Sequence, residues 1–138
     1  MIKISKATDK ENLAKEWQDF THEHYGQGTK WIEKNYRFKA VEDGKIIGTI
    51  EGKYEPGVIY IAALMVTDEA RGKGVGTLLI NKAEEFGKKL GAHRTWLSTG
   101  EDWSNRVFYE KLGFKVMAEL PDFYFHKNFV IYTRLIKK

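Results

Sequence analysis

Apolar positions along this chain switch between two periods. In Ile2–Ser5 they alternate, as in a short strand. From Thr8 or Asp9, either able to cap a helix, Leu13, Trp17 and Phe20 recur at helical spacing. Gly26 and Gly28 break that pattern, and Trp31–Tyr36 reads as a further short helix. Tyr36, Phe38 and Ala40 then alternate with Arg37, Lys39 and Val41. Asp43-Gly44 follows as a tight-turn dipeptide, since both turn positions need positive φ, and Ile46–Tyr54 returns as a strand.

After a second turn at Glu55-Pro56-Gly57, Val58–Val66 is apolar apart from one tyrosine hydroxyl, which predicts a strand buried on both faces. Val75, Leu78, Leu79, Ala83, Phe86 and Leu90 fall on one helical stripe, with Lys82, Glu85, Lys88 and Lys89 outside it and Gly91 closing the helix. His93–Thr99 reads as a strand and Ser104–Leu112 as a short helix ended by Gly113-Phe114. Lys115–Leu120 and Phe125–Leu135 supply two last strands around a loop with Pro121. The expected order is β-α-α-β-β-β-α-β-α-β-β, an α/β or α+β fold with a mixed sheet. Without a repeat, a low-complexity tract or a Pro/Gly/Ser linker, residues 1–138 are expected to be one domain.

Composition narrows the function classes. Of 138 residues, 42% are hydrophobic and 30% charged, the balance of a globular chain. No apolar run approaches the ~20 residues of a membrane span, and the N-terminus lacks a signal peptide's apolar core. A cytoplasmic location without membrane association is the expectation. The absence of cysteine removes disulfides, thiolate catalysis and sulfur-based metal sites. A net charge of +4 suits an anionic ligand such as a nucleotide, but the lysines are scattered and form no nucleic-acid stripe. His22-x-His24 diverges on a helix and has no evident third ligand, so no metal is expected.

The informative stretch joins the apolar Leu64-Met65-Val66 to Arg71-Gly72-Lys73-Gly74-Val75-Gly76-Thr77, at the start of a helical pattern. A strand end, a glycine turn and a helix N-terminus bring free backbone N–H groups to one place, which favours phosphate oxygens. The lysine of Gly72-Lys73-Gly74 is followed by glycine rather than Ser or Thr, so this is not a triphosphatase loop. Gly72, Gly74 and Gly76 leave one residue between the second and third glycines, so it is not a dinucleotide fingerprint either. What remains is Arg-x-x-Gly-x-Gly at Arg71, Gly74 and Gly76. This resembles the cofactor motif of the GNAT superfamily, which transfers acyl groups from acyl-coenzyme A to amines. Asn105-Arg106-Val107-Phe108-Tyr109-Glu110-Lys111-Leu112-Gly113-Phe114 resembles the second GNAT cofactor segment.

The resemblance implies a mixed, mostly antiparallel sheet flanked by helices. It also implies acetyl-CoA (coenzyme A) as cofactor, held by Leu64, Met65, Val66, Arg71, Gly72, Lys73, Gly74, Val75, Gly76, Thr77 and Asn105. In the family the strand before the glycine loop splays from its neighbour, and its backbone pairs with the pantetheine arm. The tyrosine matching Tyr109 protonates the departing thiolate, and the asparagine matching Asn105 contacts the pantetheine. The implied function is N-acetyltransfer to a primary amine, with a small molecule expected as acceptor and homodimerisation expected by analogy. Taken alone, Tyr109 also reads as a core tyrosine and Asn105 as a helix cap.

A general base is harder to place. Several GNAT proteins carry a glutamate in the strand before the glycine loop, and Val58–Ala63 contains none. Glu51 on the adjacent strand is the expected replacement, acting through water, ahead of His126 and Tyr60. Trp31 and Trp103, near breaks in the pattern, are the expected walls of the acceptor pocket. Two other readings stay open: a non-catalytic coenzyme A-binding or sensing domain, and a basic nucleic-acid-binding module.

Overall fold

The computed structural model describes residues 1–137. The chain divides into two compact units, Met1–Trp31 and a second from Ile32 onward.

The first unit contains one helix, α1 (Ala14–Tyr25). It begins later than the Thr8/Asp9 expectation. Thr8 and Glu11 close a turn through the Glu11 carboxylate, and Asn12 Oδ1 accepts the Ala14 N–H at 3.0 Å. The helix ends where Gly26 and Gly28 take φ of 109° and 83°. His22 is bonded to Gln18, and His24 to the Phe20 carbonyl. Ile2–Ser5 pairs with no strand, since its two-residue alternation is too short to specify a ladder. The helix expected over Trp31–Tyr36 is also absent, because the period-two pattern of Tyr36, Phe38 and Ala40 already governs the chain from Lys34.

The second unit is built on β1 (Lys34–Glu42), β2 (Lys45–Glu55), β3 (Val58–Val66), β4 (Arg94–Gly100), β5 (Lys115–Leu120) and β6 (Phe129–Leu135), in one sheet of order β1-β2-β3-β4-β6-β5. Every neighbouring pair is antiparallel except β3 and β4. The β1–β2 turn sits on Asp43 and Gly44 with φ of 51° and 75°, as that dipeptide requires. α2 (Val75–Lys89) crosses between β3 and β4, and α3 (Arg106–Lys111) between β4 and β5.

The core comprises Ile50 on β2, Ile59 on β3, Ile80 and Ala83 on α2, Leu97 on β4, Phe114, and Tyr132 on β6. Gly87 lets α2 lie against Ile59, which a Cβ there would overlap. The stripe of α2 differs from expectation at one place. Ile80 is fully buried and Leu78 is exposed, since the buried face centres on Leu79 and Ala83. Glu84 on that face meets Arg134 of β6 at 2.7 and 2.9 Å, accepts a 2.6 Å bond from Thr95, and so ties α2 to the sheet. Arg134 also donates to the Leu112 carbonyl at 2.7 Å and stacks on Phe114.

β3 corrects the expectation of a strand buried on both faces. Its first half holds the buried Ile59 and Ile61, but Ala62, Ala63 and Met65 are exposed. Its pairing with β4 covers Val58–Tyr60 only, opposite Arg94–Trp96. Beyond that point β4 keeps its ladder with β6 alone, out to Gly100 opposite Phe129. In the second half Leu64 and Val66 still pack against the core, and with Met65 they line an open cleft.

Candidate active site

The cleft has a volume of about 590 Å³ and opens where β3 leaves β4. Leu64, Met65 and Val66 form one wall, and that edge of β3 has no ladder partner. The chain then makes a single turn over Asp68–Ala70. Arg71 holds the turn, its Nε donating to the Val66 carbonyl at 3.4 Å and its guanidinium pairing with Asp68 at 3.0 Å.

The glycine junction supplies the second wall. Gly72 and Gly74 stand at φ of 80° and 82°, and a Cβ at either would point into open space. Gly74 precedes α2 with no side-chain cap, and the first intrahelical bond recorded there runs from Leu78 N to the Gly74 carbonyl, at 3.0 Å. The N–H groups of Val75, Gly76 and Thr77 therefore lack helical acceptors, and these residues line the cleft. With the positive end of the helix dipole, they make a seat for an anion. Gly76 lines the cleft and also faces the ring of Phe108, which its Cβ would approach to 3.0 Å, so its small size serves packing as well. One expected contact is placed differently. The Lys73 ammonium lies 3.7 Å from Glu42, away from the lining.

α3 forms the third wall through Asn105, Phe108 and Tyr109, with Ser104 just before it. Asn105 does not cap the helix with its side chain. The Thr99 hydroxyl donates to its Oδ1 at 2.9 Å, which leaves the amide NH₂ as the group free for another acceptor. Tyr109 is 6% exposed, with Phe108 and Phe114 edge-on to its ring at 5.1 and 5.6 Å. Burial pushes its phenol up to about 12, so it is a neutral donor at ordinary pH. Among the described residues, nothing hydrogen-bonds its hydroxyl.

The remaining sequence candidates lie elsewhere. Glu51 is opposite Ala63 in the β2–β3 register, and its carboxylate is held by Arg37 at 2.9 Å. With Asn35, Lys53, Tyr60 and Ala62 this pair borders a separate depression of about 440 Å³. Trp103 packs edge-on to Phe129 at 5.5 Å and covers Gly100, outside the cleft lining. Trp31 belongs to the first unit, after the glycine turn. His126 pairs with Asp122 at 2.8 Å on an exposed loop. Thr99, Phe108 and Ser104 join the site without being among the sequence candidates. Phe108 carries a signal, standing three positions after Asn105 on the same helix face.

Residues 6–114 match the model of the acetyltransferase (GNAT) family. The chain belongs to that family. It is 31% identical over 97 residues to a blasticidin-S acetyltransferase of Streptomyces morookaense, covering 67% of this chain and 68% of that protein. It is 30% identical over 110 residues to an uncharacterized N-acetyltransferase of Methanocaldococcus jannaschii, where the match covers 67% of this chain and 49% of the relative. The chain thus spans about half the length of the archaeal protein.

Solved GNAT structures share the fold. An acetyltransferase from Bacillus cereus superposes with a TM-score of 0.75 at 18% identity, covering 97% of both chains. An aminoglycoside 6'-N-acetyltransferase complexed with coenzyme A gives 0.67 at 20% identity, over 75% of this chain and 74% of that one. This GNAT chain therefore has the mostly antiparallel sheet flanked by helices of its structural neighbours, and its own glycine junction and Asn105–Tyr109 stand around one cleft. No helix among the described residues is long and apolar enough to cross a membrane.

Proposed function

We propose that this GNAT protein is an acetyl-CoA-dependent N-acetyltransferase acting on a primary amine of a small molecule. The observation that carries this reading is the unengaged Tyr109 hydroxyl on the wall of a cleft whose other walls are the freed β3 edge and the glycine junction. The residues fit the cofactor. Open space beside Gly72 and Gly74 and the free N–H groups of α2 suit a pyrophosphate, and the Asn105 amide and the β3 edge suit an amide-containing arm. The family match runs through both units and supports residues 1–138 acting as one acetyltransferase domain. A relative named as a blasticidin-S acetyltransferase and a structural neighbour named as an aminoglycoside 6'-N-acetyltransferase support a small-molecule acceptor.

When bound, acetyl-CoA supplies a thioester acyl group to an attacking amine. Backbone N–H groups near Leu64 and Met65 polarise the acyl carbonyl, as in an oxyanion site. The Tyr109 hydroxyl gives its proton to the departing sulfur. Direct attack would leave the amine with a proton to lose, and Glu51, whose carboxylate Arg37 holds, is the group proposed to take it through water. Trp103 keeps its proposed role beside the acceptor.

The Arg37–Glu51 pair, bordering a separate depression, also favours a second reading, a coenzyme A-binding domain without turnover. Thermal-shift titration with acetyl-CoA, followed by thiol release over an amine panel, separates the two. Stabilisation with turnover supports the transferase, and stabilisation without turnover on any amine supports the second reading. No stabilisation rejects both.

A further inference from the structure

Three features meet at one point on β3. Its parallel pairing with β4 ends at Tyr60, opposite Trp96. Its register with β2 slips between Glu51, opposite Ala63, and Gly52, opposite Ile61, so Ala62 is an extra residue. At the same point the Tyr60 carbonyl accepts a 2.9 Å hydrogen bond from the hydroxyl of Tyr36, two strands away on β1.

The donor is held firmly. Tyr36 is 5% exposed, and its ring packs against Phe38 and Phe86 with centroids 5.8 and 5.6 Å away. Burial, and then the Glu84 carboxylate, raise its phenol well above the usual value, so the hydroxyl stays protonated. Gly52 makes the contact sterically feasible, since a Cβ there would overlap the Tyr60 carbonyl and crowd the Tyr36 hydroxyl. A bulge bends its strand and increases local twist, so a group that fixes the bulge also fixes the direction of the strand beyond it. Beyond this bulge, β3 runs into Leu64–Val66, the wall of the cleft.

We propose that the Tyr36 hydroxyl, acting through the Tyr60 carbonyl and the Ala62 bulge, sets the angle at which β3 leaves β4 and so positions the Leu64–Val66 wall for the acyl donor. Tyr36 is a positioning residue, because it lines no part of the cleft itself. The proposal rests on reading that cleft as the acyl-CoA site.

Tyr54 supplies the comparison. Its hydroxyl also bridges backbone groups, donating to the Leu90 carbonyl at 3.0 Å and accepting from Gly57 N at 3.2 Å, but it stands opposite Ile59, on the side of the bulge away from Leu64–Val66. In the full chain, Tyr36→Phe and Tyr54→Phe each remove one hydroxyl and keep the ring. The measurements are acetyl-CoA KM and kcat, coenzyme A Kd by calorimetry, thermal midpoint, and amide exchange of Leu64–Val66. Tyr36→Phe is expected to raise KM and Kd about 3- to 10-fold, with kcat unchanged and exchange at Leu64–Val66 faster. Tyr54→Phe is expected to lose comparable thermal stability with KM, Kd and that exchange unchanged. Unchanged KM in Tyr36→Phe, an equal rise in Tyr54→Phe, or failure of Tyr36→Phe to fold each overturns the proposal. A wild-type chain that binds no coenzyme A overturns the cofactor reading instead. Exchange at Leu64–Val66 then decides the positioning claim, and rates unchanged in Tyr36→Phe reject it.

Discussion

The Thr99 hydroxyl donates to Asn105 Oδ1 at 2.9 Å, fixing which end of the Asn105 amide faces the cleft. Thr99 is 1% exposed at the end of β4, where that strand has already parted from β3. Thr99→Val keeps the shape and deletes the donor. It should weaken acetyl-CoA binding by about 0.5–1.5 kcal/mol while changing kcat little, because the lost hydrogen bond orients a binding group and not the reacting atoms. Calorimetric titration beside steady-state kinetics checks this. A fall in kcat with Kd unchanged would contradict it.

Tyr109→Phe removes only the hydroxyl, which has no partner to lose among the described residues. Stability near neutral pH should change little, whereas kcat should fall about 10²- to 10⁴-fold if the group is the general acid. The pH behaviour comes from the phenol's shift to about 12. Its folded value lies above an unfolded value of about 10, so the stabilisation is present below pH ~10 and is lost as pH rises through about 12. Wild type should therefore lose stability across that alkaline window and Tyr109→Phe should lose less. Parallel denaturant titrations at pH 9 to 12 measure the difference.

How legible these features are in the sequence depends on how local their causes are. Asp43-Gly44, the Gly91 stop and the Asn105–Phe114 segment act within a few residues of themselves, and all appear where the pattern places them. The splay of β3 is not local. An apolar run reads the same whether it fills a core or lines a ligand cleft, so Val58–Val66 reads as doubly buried when half of it is not. Gly76 reads as a glycine for phosphate approach because its neighbour Phe108 is distant in sequence. Glu84 looks like one more polar residue of α2, since its partner Arg134 stands fifty positions away.

Glu84 and Arg134 form a largely buried bidentate pair, and breaking it leaves one charge without its partner. Glu84→Ala should destabilise the fold by about 3–5 kcal/mol. Replacing both residues with apolar ones of similar size, Glu84→Leu with Arg134→Met, should recover much of that loss. A double-mutant cycle by urea denaturation reads the coupling. Additive effects would show that the two side chains act separately.

Gly74 and Gly76 separate two uses of a missing side chain. Gly74 sits at φ 82° with open space where its Cβ would be, so Gly74→Ala introduces backbone strain without a clash in the free protein. The strain is worth about 1–2 kcal/mol, and the added methyl projects from the loop expected to seat the pyrophosphate. Gly76→Ala instead brings a methyl to 3.0 Å from Phe108, which must move within the cleft. Coenzyme A and its dephosphorylated pantetheine fragment should report the two changes differently. Gly74→Ala should weaken coenzyme A and leave pantetheine binding nearly unchanged, because the fragment has no pyrophosphate. Gly76→Ala should weaken both, since Phe108 stands beside Tyr109, the residue proposed to meet the acyl end. Equal losses for both ligands in Gly74→Ala would remove the glycine junction from phosphate binding.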